Sequence, residues 1–338
     1  ADTIELGQGA TYILLEVNNT ALGPTGLPIA LSQILINGHG STIRRGIGAP
    51  PFRIFCVGQA GNLELVDLAI NNGDPGGTFF GGAVFSHGGT TTLVRTEVTD
   101  NTSQCGGGLH NRSGTMTVLD SLISQNTGNH GGGICSSAAF GDALLVIERT
   151  LITNNVSNGE GGGIQSVRDQ ALGWMSTVRV SESTVSGNIS SDFSGGITSE
   201  GDITVMNSTI SDNHTGLVAG GLYVARGSAE IERSTITGNT VETTADIGGA
   251  GGGVVVNDAS ATISNSTISG NHALGAATNG EYSGRGGGVF LAGFAADTVV
   301  NIEDSTICDN TADVAGGGIA VQRIGGTDPI EVMLRNTV

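Results

Sequence analysis

The chain contains no lysine: all 13 of its basic residues are arginine, set against 31 acidic residues. Without that amine, Schiff-base catalysis and a phosphate-cradling P-loop are both excluded. The net charge of -18 argues against nucleic acid, whose phosphates need a basic surface. It argues equally against an anionic membrane surface. It fits an extracellular surface protein or a cation binder. Aromatic residues make up only 4% of the chain, so a core would have to be built from Val, Ile, Leu and Ala, which suits strands. No apolar run reaches the length of a membrane-spanning helix, so no membrane insertion is expected. Of the four cysteines, Cys56, Cys105, Cys135 and Cys308, no two form a CxxC pair. Buried or half-buried free thiols are the expectation. A Cys105–Cys135 disulfide remains open, although the register of the repeats does not favour it. The opening "ADTIEL" reads as a mature or trimmed N-terminus.

What is abundant is glycine, 58 of 338 residues, without the Gly-X-Y period of collagen. The glycines belong to a repeat. A segment written "DSLISQN", "RTLITNN", "ESTVSGN", "NSTISDN", "RSTITGN", "NSTISGN" and "DSTICDN" centres on Ile123, Ile152, Val185, Ile210, Ile236, Ile268 and Ile307, with a weaker copy at Val98. Three residues on stands an asparagine: Asn101, Asn126, Asn155, Asn188, Asn213, Asn239, Asn271 and Asn310. A glycine run and one apolar residue follow, at Val84, Leu109, Ile134, Ile164, Ile197, Leu222, Val254, Val289 and Ile319, spaced 25 to 35 residues apart. Ahead of each repeat, pairs such as Leu145/Ile147 and Val178/Val180 alternate with period two, the mark of strand.

Each unit holds about three short strands and cannot bury its apolar face alone, so the units must stack. The expected fold is all-β: a right-handed single-stranded parallel β-helix of the pectate-lyase-like superfold, a rod of about ten coils. Residues 1–60 form the cap and first irregular coils; residues 61–338 form the repeats. The asparagine column is expected to be a ladder, placed at a turn because asparagine tolerates left-handed φ. The Ser/Thr column at Ser121, Thr150, Ser183, Ser208, Ser234, Ser266 and Ser305 should form another. Asp120, Arg149 and Glu182 should alternate in charge on neighbouring coils. The last segment, "EVMLRNTV", stops where the next Asn turn is due, with no obvious cap.

On these motifs the chain resembles bacterial secreted right-handed β-helix proteins with polymorphic-outer-membrane-protein-type repeats, in which "GGGI" alternates with "NSTISGN". Its opening, from "DTIELGQGATYILLEVNN" through "ILINGHGSTIRR" to "PPFRIF", is similar to the segment that follows the Cys-Ser-Leu-Arg-Glu-Ala motif in such proteins. That motif is not in this chain. The resemblance covers nearly all 338 residues. It implies export to the medium or the bacterial cell surface, and a group containing adhesins and other surface proteins.

Chemistry is expected in the insertions. Residues 165–177 carry Trp174, and the insertions 240–250 and 272–285 should lie side by side, offering Glu242, Asp246, Glu281, Tyr282 and Arg285 to a polysaccharide. The competing reading is two solvated loops. Asp169, Glu200 and Asp202 offer hard oxygens to calcium, the one cofactor the sequence suggests. A hydrolase needs converging carboxylates, and Asp100, Asp212 and Asp309 share a column but not neighbouring coils. For a lyase, Arg179, Arg226 and Arg233 are candidates by proximity only. His110 and Cys135 should touch, but as a metal pair they lack further ligands. The leading expectation is therefore an extracellular structural or adhesive protein, partnered by itself end to end or laterally. The alternative is a carbohydrate-active lyase or hydrolase, or a carbohydrate-binding module.

Overall fold

The structure, a computed structural model, describes residues 2–243, 249–275, 284–293, 298–323 and 329–338. The described residues contain strands and turns and no helix. They are parallel strands stacked as a β-solenoid of about 11 coils, close to the expected ten. Asp2–Glu5 and Thr11–Leu14 both pair with the long strand Gln33–Arg45, so the irregular opening already winds as coils. Two compact units divide the chain: Ala1–Asn158 with Ile164–Thr177, and Gly159–Gly163 with Val178–Val338.

In the first unit, three columns of side chains line the interior. Leu65, Leu93, Val118 and Ile147 stack through successive parallel pairings. Ile70, Val98, Ile123 and Ile152 form the second column. Phe55 and then Val84, Leu109, Ile134 and Ile164, which follow the glycine turns, form the third. The second unit repeats the pattern with Val205–Ile231–Ile263–Ile302, Val185–Ile210–Ile236–Ile268 and Ile197–Leu222–Val254–Val289. All these side chains are buried, each stabilising by about 1.5–3 kcal/mol before entropy is subtracted.

The asparagine ladder is present. Asn101 donates its side-chain amide to Asn126 at 3.0 Å, and Asn126 to Asn155 at 3.0 Å. In the second unit, Asn188, Asn213, Asn239, Asn271 and Asn310 continue in the same way at 2.9–3.0 Å. The expected reason for asparagine was wrong, however. The left-handed residue is the one before it: Asp100, Gln125, Asn154, Asp212 and Asp309 have φ between 56° and 58°, and Gly187, Gly238 and Gly270 are the glycine equivalents. Asparagine is required because its carboxamide bonds along the axis while also capping backbone groups. The Ser/Thr column behaves likewise within each unit, a hydroxyl accepting the backbone N–H of its counterpart one coil earlier, as Ser121 does from Thr96 at 3.0 Å and Ser208 from Ser183 at 3.1 Å. A second left-handed column precedes it, including Arg95, Asp120 and Arg149 in the first unit and Glu182, Asn207 and Arg233 in the second. Arg95 pairs with Asp67 at 2.6 Å and Arg149 with Asp120 at 2.7 Å.

The glycine runs serve close approach. A Cβ on Gly107 would collide with the carbonyl oxygens of Gly132 in the next coil and of Thr127, so no larger residue fits. The tight turn also folds the preceding segment back over the strand that follows. This creates a second, smaller layer outside the solenoid interior. In the second unit it holds Val218, Ala250, Val255 and Phe290, with Phe193 against Tyr223 at 5.1 Å between ring centroids.

Candidate functional site

In the first unit, the same outer layer is polar and reactive where the second unit's is apolar. Strand Leu109–Arg112 alternates, so His110 points away from the interior that Leu109 and Asn111 face. It is nevertheless buried, at 2% exposure, because the turn segment covers it: Phe80 lies 4.9 Å and Phe85 5.5 Å away between ring centroids. Cys135 and Gln165 occupy its position in the next two coils and are equally buried. Cys105 ends strand Thr102–Cys105, just before the glycine turn, and is half-buried.

Cys105 and Cys135 form a disulfide, with their Cα atoms 5.9 Å apart. This corrects the expectation of free thiols. The mistaken premise was that bonded cysteines must share a register position. Cys105 is in register with His130, and Cys135 with His110. The bond runs diagonally across the turn from one coil to the next, because the turn brings its two flanks together. Cys56 is buried and free, and Cys308 is exposed and free. Burial pushes the Cys56 thiol up from its ordinary pKa, with Arg53 opposing the shift.

His110 Nδ1 lies 3.2 Å from the Cys105 carbonyl, and Nε2 lies 3.0 Å from the Ser137 hydroxyl. The carbonyl can only accept, so Nδ1 carries the proton and Nε2 accepts from Ser137. Burial pushes His110 down to about 3, against a smaller raising effect of the Cys105 bond. Serine and histidine thus stand as in a nucleophilic dyad, but the imidazole is a weak base at neutral pH. Of the backbone N–H groups that follow, Ala138 donates to the Val167 carbonyl at 2.9 Å, and Ala139 and Phe140 donate to the Ser113 hydroxyl at 2.9 and 3.0 Å. They leave no oxyanion cradle there. Around this pair lie Arg112, stacked 5.5 Å over Phe80, and His87, 4.6 Å from the Phe140 ring. Burial, reinforced by Arg112, lowers the pKa of His87.

A buried cation that sequence reasoning missed sits beside this layer. Arg53, fully buried, donates to the carbonyls of Phe80 at 2.9 Å and Leu22 at 2.8 Å and lies 4.9 Å over the Phe85 ring. It fastens the proline-containing link of residues 18–32 to the coils. Desolvation lowers it to about 10.

The sequence-derived candidates are placed as follows. Trp174, 37% exposed, closes a turn against Asp169, and Asp169 Oδ1 caps the N–H groups of Ala171 and Leu172 at 2.9 and 3.0 Å. Glu200 pairs with Arg226 at 3.2 Å, and Asp202 accepts from Ser228 at 2.7 Å. Asp169 belongs to one unit, Glu200 and Asp202 to the other. The ends of the two insertions do run side by side, Thr240–Thr243 in register with His272–Gly275, with Glu242 exposed opposite Leu274. Arg285 is in bridge register with Ala250. Asp246, Glu281 and Tyr282 lie outside the described residues. Among the described residues, the cluster of three metal-ligating side chains is Cys105, His110 and Cys135, with donor atoms within 4.8 Å of one another.

Compared with known protein families and with curated proteins, the chain matches no family and no curated protein.

Proposed function

We propose that this chain is an extracellular structural or adhesive protein, a β-solenoid that assembles with copies of itself. The observation that carries the reading is the stack itself: like strands pair in parallel register coil on coil, braced in each unit by the asparagine ladder. Stacked repeats of this kind form extended surfaces suited to adhesion and self-association. The resemblance of the GGGI and NSTISGN repeats to those of secreted bacterial β-helix proteins supports export. So do the absence of lysine with a net charge of -18 and a disulfide, which persists in oxidising compartments.

Light scattering and electron microscopy of the full chain test the reading. Concentration-dependent oligomers or filaments are expected. A protein that stays monomeric at every concentration and adheres to no surface would defeat the proposal. A second reading rests on the register of Thr240–Thr243 with His272–Gly275: these two adjacent strands, with Glu242 exposed, offer a side surface to polysaccharide. A glycan-binding screen with Glu242→Ala and Trp174→Ala as controls separates the two.

A further inference from the structure

The disulfide accounts for two of four side chains at one turn and leaves the other two unexplained. The text around consecutive glycine runs is CGGGLH, residues 105–110, then HGGGIC, residues 130–135. The flanks before and after each run are thus Cys105 with His110, and His130 with Cys135. Register places His130 beside Cys105 and Cys135 beside His110. Two cysteines occupy one diagonal of a small quadrilateral and two histidines the other. In other coils the same two positions hold varied groups with no repeated cysteine or histidine: Phe80 with Phe85, Glu160 with Gln165, Ala250 with Val255 and Arg285 with Phe290. Packing alone therefore does not call for cysteine and histidine here.

Three of the four donors already converge: a ring nitrogen of His110 and both sulfurs lie within 4.8 Å of one another. The fourth residue, His130, has a buried Nδ1 without a hydrogen-bond partner. An orphaned buried ring nitrogen is costly unless something occupies it in another state of the molecule. The Gln165 carboxamide oxygen lies 3.9 Å from the Cys105 sulfur and 3.8 Å from that of Cys135, placed to orient or supplement the set. Two sulfurs and two imidazoles are the donor set of a tetrahedral, borderline-soft divalent cation.

The geometry points to a second state of this turn, in which reduced Cys105 and Cys135, with His110 and His130, bind one zinc-class cation in place of the disulfide. A thiol reductant opens the bond. Two reductant thiols are oxidised to their own disulfide as Cys105 and Cys135 gain two electrons and two protons, and the cation then displaces both protons to solvent. Cys105 is half-buried, which gives the attacking thiolate a sulfur to reach. The two states brace the same pair of coils, one by a covalent bond and the other by coordination.

The test uses the full chain carrying Cys308→Ser, which removes the exposed thiol, titrated anaerobically with cobalt(II). After reduction by a phosphine, one equivalent should bind with a sulfur-to-cobalt charge-transfer band and tetrahedral d–d absorption, and zinc should displace it. The oxidised protein should bind none. His110→Gln and His130→Gln should each weaken binding by at least about tenfold. A Cys105→Ser/Cys135→Ser variant, shown to be folded by its circular dichroism, should abolish the charge-transfer band. The inference fails if reduced protein gives no such band, if the folded double-serine variant or the oxidised protein binds cobalt equally well, or if both histidine variants keep full affinity.

Discussion

The side-chain oxygen of Asn155 accepts two hydrogen bonds from Asn126, one from its backbone N–H and one from its side-chain amide, both at 3.0 Å. Asn126 passes the same double acceptance to Asn101, and its amide also reaches the Val98 carbonyl at 2.9 Å. One carboxamide thus ties three consecutive coils through groups that have no access to water. Replacing it orphans several buried partners at once.

Asn126→Ala should therefore destabilise the first unit by about 2–4 kcal/mol, the cost of orphaning two or more buried polar groups. Asn126→Asp keeps the acceptor but loses the donor and places a charge in a dry column. It should be at least as damaging. Urea denaturation checks both, read by the shift of midpoint at constant slope. Midpoints within error of the parent would show that the ladder contributes nothing net.

Ile123 sits in the middle of its interior column and is fully buried. Ile123→Ala should cost about 2–5 kcal/mol, while Ile123→Val should cost about 0.5–1.5 kcal/mol. Exposed Leu151, on the outward face of the neighbouring strand, should tolerate alanine with less than about 0.5 kcal/mol change. Comparing the three by thermal melting separates inward from outward positions.

The Cys105–Cys135 bond closes a loop across a sequence separation of 30 residues. Its reduction in the absence of metal should lower stability by about 2–4 kcal/mol. Urea midpoints with and without phosphine, under chelator, measure this. The Cys105→Ser/Cys135→Ser variant should show no further response to phosphine.

His110 makes the first unit acid-sensitive. Its pKa falls from 6.5 to about 3 on folding, so between those values the unfolded chain binds a proton that the folded chain does not. Its stabilisation is complete above pH 6.5 and is lost progressively as pH falls towards about 3. The loss amounts to several kcal/mol in order of magnitude. Asp67 and Asp120, held below the ordinary carboxylate range by hydrogen bonds to Arg95 and Arg149, act in the same direction, but they lie at the surface and contribute little. His110→Gln should flatten the decline of the urea midpoint between neutral and mildly acidic pH. An unchanged pH profile in that variant would place the sensitivity elsewhere.

Arg53→Met should release the link of residues 18–32, since the Phe80 and Leu22 carbonyls lose their donor. Limited proteolysis should then cut in this segment under conditions that leave the parent chain intact. Equal resistance in both proteins would show that the link is held by its own contacts.

Much of this molecule could be read in the order of its residues, because a solenoid repeats its reasons. Val98, Ile123 and Ile152 recur at one place in every unit, and a residue type recurring at a fixed place in a stack declares its own column. The same logic located the Asn and Ser/Thr ladders. It failed where the turn, rather than the stack, decides the contact. Asn126 was assigned the left-handed backbone that Gln125 carries. Both residues lie at one corner, and letters alone do not say which of two neighbours takes the strain. Cys105 and Cys135 occupy different columns, so the repeat pattern disfavours, without excluding, a bond that the turn makes.

Strand type, the parallel pairing, the interior columns and the ladders were thus determined by the sequence alone, since period and stacking follow from local pattern. The tertiary structure decided how far the glycine turns fold back on themselves. That curvature sets Phe80 over His110, joins Cys105 to Cys135 and lowers the basicity of a histidine whose alternation places it outside the core. It arises from the absence of Cβ atoms at Gly106, Gly107 and Gly108 together with the contacts of the coils on either side, and no single repeat contains all of those atoms.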